Sequence, residues 1–112
     1  VESYEKKVYL FCSQGMSTSM LAQKMQNVAD EHNLPMEVAA YSHGLLNQII
    51  NEKKPDVIML GPQVKYLYDD TVKNFGSYGA PILMINPEDY GVMNGKKMLK
   101  QAIVALKKKK TQ

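Results

Sequence analysis

Arginine is missing from this chain altogether. Its 14 basic residues are all lysines, set against 11 acidic ones for a net charge of +3. Arginine's planar fork is the usual reader of phosphate, carboxylate and guanine edges, so its absence counts against many enzymes and against base-specific readers of DNA. Four of the lysines stand together at Lys107–Lys110. Without them the chain is close to neutral, and no basic face interleaved with aromatics appears, so no nucleic-acid partner is expected. Cysteine is nearly as scarce. The single Cys12 excludes an intramolecular disulfide and any multi-cysteine metal site. With no metal-ligand spacing elsewhere, neither a metal nor a cofactor is expected. No run approaches the roughly 18 apolar residues of a membrane span, and no signal-peptide pattern opens the chain. It begins at Val1 rather than Met, so the opening residues carry no weight. A reducing, cytoplasmic setting is the expectation. Internal repeats, low-complexity segments and Pro/Gly/Ser linkers are also lacking, which leaves residues 1–112 as one domain, long enough to bury a core without staples.

What the chain does have is alternation. Lys7–Cys12 is a short run of strand formers stopped by Ser13-Gln14-Gly15, and from Ser17 a helical period places Leu21, Met25, Val28 and Ala29 on one face. That helix should end near His32-Asn33, ahead of Pro35. Glu37–Tyr41 reads as a second strand. Ser42 caps a short helix carrying Leu45, Leu46, Ile49 and Ile50, which closes at Lys53-Lys54-Pro55. Asp56–Gly61 is a continuous apolar strand of the kind buried on both faces. Pro62 then suits a helix start, with Val64, Leu67, Tyr68, Val72 and Phe75 inward and Gly76 and Gly79 at its end. Ile82–Ile85 is a fourth strand, broken by Asn86-Pro87, and a last helix from about Gly95 spaces Met98, Leu99, Ala102, Ile103 and Leu106 helically. Such alternation predicts an α/β fold: an open four-stranded parallel sheet, order 2-1-3-4, with helices on both faces. Its switch point lies between strands 1 and 3, so a ligand is expected beyond their carboxyl ends, at Cys12 and Gly61.

Cys12 opens the run Cys12-Ser13-Gln14-Gly15-Met16-Ser17-Thr18-Ser19, which leads into a helix. A strand–loop–helix junction of this kind presents several backbone N–H groups at the positive end of a helix dipole. Gly15 permits a tight turn, and Ser13, Ser17, Thr18 and Ser19 add hydroxyls, more than a plain helix cap requires. An anion held by residues 13–19 would sit against the cysteine sulfur, in a field that favours the thiolate. A thiolate beside an anion cradle is a phosphoryl acceptor. Cysteine phosphatases use a related loop but need Cys-x5-Arg, and here that position is Thr18. The loop therefore reads as one that holds a phosphoryl group and hands it on rather than giving it to water.

The runs Val8–Met20 and Asp56–Gln63, with Tyr66 following, closely resemble the lactose/cellobiose-type enzyme IIB of the bacterial phosphoenolpyruvate-dependent sugar phosphotransferase system, in its cellobiose/chitobiose branch. The resemblance spans essentially the whole chain. It implies a phosphotransferase of the cytoplasm that docks transiently at the inner face of the membrane. Cys12 would accept a phosphoryl group from a phosphohistidine of enzyme IIA, and transfer it to a sugar bound by the membrane component, enzyme IIC. A monomer is expected.

Against this stand a buried core cysteine, the default for a lone cysteine at a strand end, and a small cysteine phosphatase or arsenate-reductase-like enzyme, which the missing arginine disfavours. A response-regulator-like or nucleotide-binding module needs strand-end acids or a Walker lysine, and has neither. Gln63, just past strand 3, either reaches the crevice with a side-chain N–H or is a solvated first-turn residue. His32 and His43 read as surface residues. Met25, Met59, Met84 and Met98 fall on core faces by periodicity, whereas Met16 and Met20 flank the loop and suit a surface that docks two partners in turn. The Lys107–Lys110 run most often means a solvated helix end; attraction to an anionic leaflet is a weaker reading.

Overall fold

The computed structural model describes residues 6–13 and 16–110. Within them β1 (Lys6–Cys12), β2 (Met36–Ser42), β3 (Val57–Leu60) and β4 (Ile82–Met84) form one parallel sheet in the order β2-β1-β3-β4. This is the predicted order. The helices are α1 (Met16–Glu31), α2 (Leu46–Lys53), α3 (Tyr68–Phe75), α4 (Pro87–Gly91) and α5 (Gly95–Lys110), with 3-10 turns at His43–Leu45, Pro62–Leu67 and Gly76–Tyr78.

The period-2 alternation of β1 and β3 sorts their side chains into two cores. Val8 and Leu10, with Val57 and Met59, pack with Leu21, Met25 and Ala29 of α1 and Met98, Leu99 and Ala102 of α5. Tyr9 and Phe11, with Ile58 and Leu60, face Leu46, Ile49 and Ile50 of α2 and Val64 on the opposite side. A central strand buried on both faces must be apolar throughout, which is why Val57–Leu60 lacks a polar residue. The long helix α1 closes with Asn33 at φ 56°, and the Leu34 N–H reaches back to the Ala29 carbonyl, a left-handed cap made before Pro35. Gly95 has a specific job. A Cβ there would stand 3.0 Å from the Lys24 carbonyl carbon and 3.1 Å from the Met25 nitrogen, so only glycine lets the start of α5 lie this close to α1.

Three expectations are corrected. Val72 does not face inward: it is 39% exposed, and Thr71 is buried in its place. The cause is the 3-10 segment at Pro62–Leu67, interrupted at Val64 (φ −118°, ψ 23°), which breaks the phase of a single helix running from Pro62. Met84, on the short edge strand β4, is also exposed rather than in the core. Finally, Asn86-Pro87 does more than end a strand. Asn86 Oδ1 accepts from the backbone N–H groups of Glu88 and Asp89, Pro87 occupies the first turn, and the five-residue helix α4 follows.

Candidate functional site

β1 and β3 deliver Cys12 and Gly61 side by side. Phe11 pairs with Leu60, and the Gly61 N–H donates to the Phe11 carbonyl at 2.8 Å, continuing the ladder one residue past β3. Both positions share the parity of the face covered by α1 and α5, so a side chain at 61 would point at the cysteine. A Cβ on Gly61 would stand 3.2 Å from Cys12 Cβ and 2.6 Å from Gln63 Oε1. Glycine here leaves the space that Cys12 and the Gln63 carboxamide share. Its φ of −66° is ordinary, so the requirement is room, not backbone freedom.

Cys12 is fully buried, and Ser13 is exposed beside it. Gln14 and Gly15 lie outside the described residues. The backbone of Met16 and Ser17 opens α1, which places the helix N-terminus four residues after the cysteine. Ser19 and Met20 face solvent, Met20 at 58% exposure. Thr18 is turned the other way. It is wholly buried, and its hydroxyl lies 3.0 Å from that of Tyr90. An arginine at 18, the position where a cysteine phosphatase carries one, would have to replace a side chain with no exposed surface. Gln63 Nε2 donates to the same Tyr90 hydroxyl at 2.7 Å. The fold thus ties the first turn of α1, the turn after β3 and the helix α4 together at one phenol oxygen. Gln63 is an exposed first-turn residue whose side chain nonetheless turns back, Nε2 to Tyr90 and Oε1 to the Gly61 side.

Tyr90 is the residue that sequence reasoning missed. Its helix is five residues long, too short for an apolar period to register. The signal available was Asn86-Pro87-Glu88-Asp89, a cap followed by proline and two acids, which marks a helix start.

The histidines stand apart from this cluster. His32 lies exposed beyond the far end of α1. His43 is half-buried rather than a plain surface residue, with Nε2 3.1 Å from Thr71 Oγ1. The Thr71 hydroxyl spends its proton on the Leu67 carbonyl at 2.7 Å, so His43 donates from Nε2. Burial lowers the His43 pKa from its ordinary 6.5 and holds the ring neutral. Its role is to satisfy the buried Thr71 and pin the end of β2 to α3. The lysine-rich end of α5 is remote as well: Lys108 borders Gly79 and Pro81, ahead of β4, at the amino-terminal end of the parallel sheet, opposite the carboxyl end that carries Cys12. There its charge complements the negative end of the helix. Among the described residues, no group of three or more His, Cys, Asp or Glu could hold a metal ion, and no helix is long and apolar enough to cross a membrane.

Residues 7–101 match the family described as "PTS system, Lactose/Cellobiose specific IIB subunit". The galactose-specific EIIB component of the phosphotransferase system of Lactococcus lactis subsp. cremoris is 38% identical over 101 residues, covering 88% of this chain and 94% of that protein. A lactose-specific EIICB component of Lactococcus lactis subsp. lactis is 27% identical over 86 residues, which cover 77% of this chain and 15% of that longer protein. The solution structure of a cellobiose-specific phosphotransferase IIB component from Borrelia burgdorferi superposes with a TM-score of 0.76 at 35% identity, covering 93% of this chain and 94% of that one. A cysteine ending a central strand, the close approach that Gly61 permits beside it and the match along nearly the whole chain converge: this chain belongs to the lactose/cellobiose-specific IIB subunit family of the phosphotransferase system.

Proposed function

We propose that the chain carries a phosphoryl group on Cys12 between enzyme IIA and a sugar held by enzyme IIC, working in the cytoplasm and docking transiently at the inner face of the membrane. The observation that carries the reading is the placement of Cys12 at the carboxyl end of β1, beside Gly61 and ahead of the α1 N-terminus. In the first step the Cys12 thiolate attacks the phosphorus of a phosphohistidine. The S–P bond forms, the N–P bond breaks, and the imidazole nitrogen keeps the electron pair. In the second a sugar hydroxyl attacks the same phosphorus. The O–P bond forms, the S–P bond breaks, the thiolate is regenerated, and the hydroxyl proton leaves to a base on the acceptor side.

Backbone N–H groups of Ser13, Gln14, Gly15, Met16, Ser17, Thr18 and Ser19, aided by the α1 dipole, are the proposed phosphoryl cradle, since the chain has no arginine to supply one. Gln63 supports it from the turn after β3. Cys12 has no exposed surface in the free chain. Such burial would suit an inert core cysteine. Against that reading, a glycine beside Cys12 lets the polar Gln63 carboxamide approach it, and that carboxamide belongs to a Thr18–Tyr90–Gln63 hydrogen-bonded cluster. Incubation with phosphoenolpyruvate and the upstream phosphotransferase proteins should add one phosphoryl group to Cys12, seen by intact mass and mapped by peptide analysis, and addition of enzyme IIC and sugar should discharge it. A label on any residue other than Cys12 would sink the proposal.

A further inference from the structure

Gln63 presents its two polar atoms in opposite directions. Nε2 donates to Tyr90 Oη at 2.7 Å, and Oε1 stands 2.6 Å from the vacant Cβ position of Gly61, which is itself 3.2 Å from Cys12 Cβ. In the unloaded structure the amide oxygen is thus the Gln63 atom on the Gly61–Cys12 side. A phosphoryl group on that sulfur offers only lone pairs, and an amide oxygen aimed at it is repulsive. A carboxamide reverses by rotation about its last torsion, whose well is broad and roughly two-fold. Reversal brings Nε2 to the phosphoryl side and leaves Oε1 facing Tyr90, where only a donor can hold it. A phenol serves either way, since it accepts and donates, and Thr18 Oγ1 at 3.0 Å can likewise donate or accept.

Resting on the phosphoryl-carrier reading above, we infer that Tyr90 is a positioning residue: its hydroxyl anchors the Gln63 carboxamide in both orientations, amide oxygen toward the unloaded Cys12 and amide N–H toward the phosphorylated one. No proton is transferred; the Gln63–Tyr90 and Thr18–Tyr90 hydrogen bonds change direction and one to the phosphoryl group forms, with no displacement of the backbone. Gln63 is exposed, so its rotation meets solvent rather than packed neighbours, and Tyr90 is fixed through the capped helix α4. Without the hydroxyl the carboxamide still reaches the site but spends most of its time elsewhere. The loss falls on the transfer step rather than on partner binding.

Tyr90→Phe keeps the ring and removes only the oxygen. It should slow single-turnover phosphorylation of Cys12 about tenfold, the usual effect of losing a hydrogen bond that supports a charged group. The KM for phosphorylated enzyme IIA should stay unchanged. Gln63→Ala should cost the same, and Tyr90→Phe in a Gln63→Ala background should cost nothing more, which a merely structural role for Tyr90 would not produce. In the wild type the Gln63 side-chain NH2 resonances should shift on phosphorylation, and in Tyr90→Phe that shift should shrink. Wild-type rates in Tyr90→Phe, or a double variant as slow as the product of the two single effects, would overturn the inference while Cys12 labelling of the wild type leaves the carrier reading intact. Absence of Cys12 labelling in the wild type would overturn both.

Discussion

Gly61→Ala separates the cost of folding from the cost of function. The backbone at Gly61 (φ −66°, ψ 156°) accepts any L-residue, so the substitution introduces no torsional strain. Its methyl would meet Gln63 Oε1 at 2.6 Å, Cys12 Cβ at 3.2 Å and the Phe11 carbonyl oxygen at 3.5 Å. The first contact is relieved by swinging an exposed side chain outward, which breaks the bond from Gln63 to Tyr90. The second is tighter than ordinary packing and lies in a fully buried place, so Cys12 must shift by a few tenths of an ångström. Overpacking by one methyl costs about 1–3 kcal/mol, and the stiffer unfolded chain returns about 0.4–1 kcal/mol. A net destabilisation of about 1 kcal/mol lowers Tm by roughly 4 °C in a chain of this size. Function should suffer far more. Displacing a nucleophile and its supporting amide together should cost about 10–100-fold in the rate of phosphoryl uptake, given that an error of about 1 Å costs on the order of 100-fold. Thermal melts and single-turnover phosphorylation followed by intact mass measure the two effects on one preparation. A variant that melts a few degrees early yet takes up phosphoryl at the wild-type rate would refute the claim that Gly61 keeps room for the site.

Gly95→Ala should behave in the opposite way, because its Cβ meets backbone atoms of Lys24 and Met25 that cannot rotate aside; a loss of about 1–3 kcal/mol in denaturant unfolding, with phosphoryl transfer retained at temperatures below the melt, is expected. His43→Gln keeps a donor for Thr71 but cannot titrate. Because the folded pKa of His43 lies below the unfolded 6.5, the unfolded chain binds the proton first, so the stability contributed by the neutral ring is complete above pH 6.5 and falls as pH drops through and below it. The melting temperature of the wild type should therefore fall relative to that of His43→Gln between about pH 7.5 and pH 5.5; parallel curves would show that the ring is not held neutral. Cys12→Ser should fold with little change, being close in size, and accept no phosphoryl group, since a serine hydroxyl supplies no nucleophilic anion at neutral pH; phosphate found on the introduced serine would contradict this.

Local signals determined most of the architecture from the sequence alone. Runs of β-branched and apolar residues, the punctuating Ser13-Gln14-Gly15, Pro35, Pro55 and Asn86-Pro87, and the apolar spacing of α1 and α5 are each readable within a short window of the chain. The order β2-β1-β3-β4 then follows because the continuous apolar strand must be central and the mixed one must be an edge. Cys12 was legible for the same reason: a strand end, a turn and a helix start are adjacent in the chain. What only the tertiary structure decided involves distance or phase. Thr18 and Tyr90 are 72 residues apart, and Gln63 and Tyr90 are 27 apart, so nothing local announces that they meet at one oxygen. The inward turn of Thr71 in place of Val72 depends on an interrupted 3-10 segment whose irregular backbone at Val64 leaves no mark in the apolar pattern. Gly61 looked like the close of a strand. That it lets Cys12 and the Gln63 carboxamide approach so closely depends on β1 and β3 lying in register, a relation between strands that α1, β2 and α2 separate in the chain and only the sheet brings together.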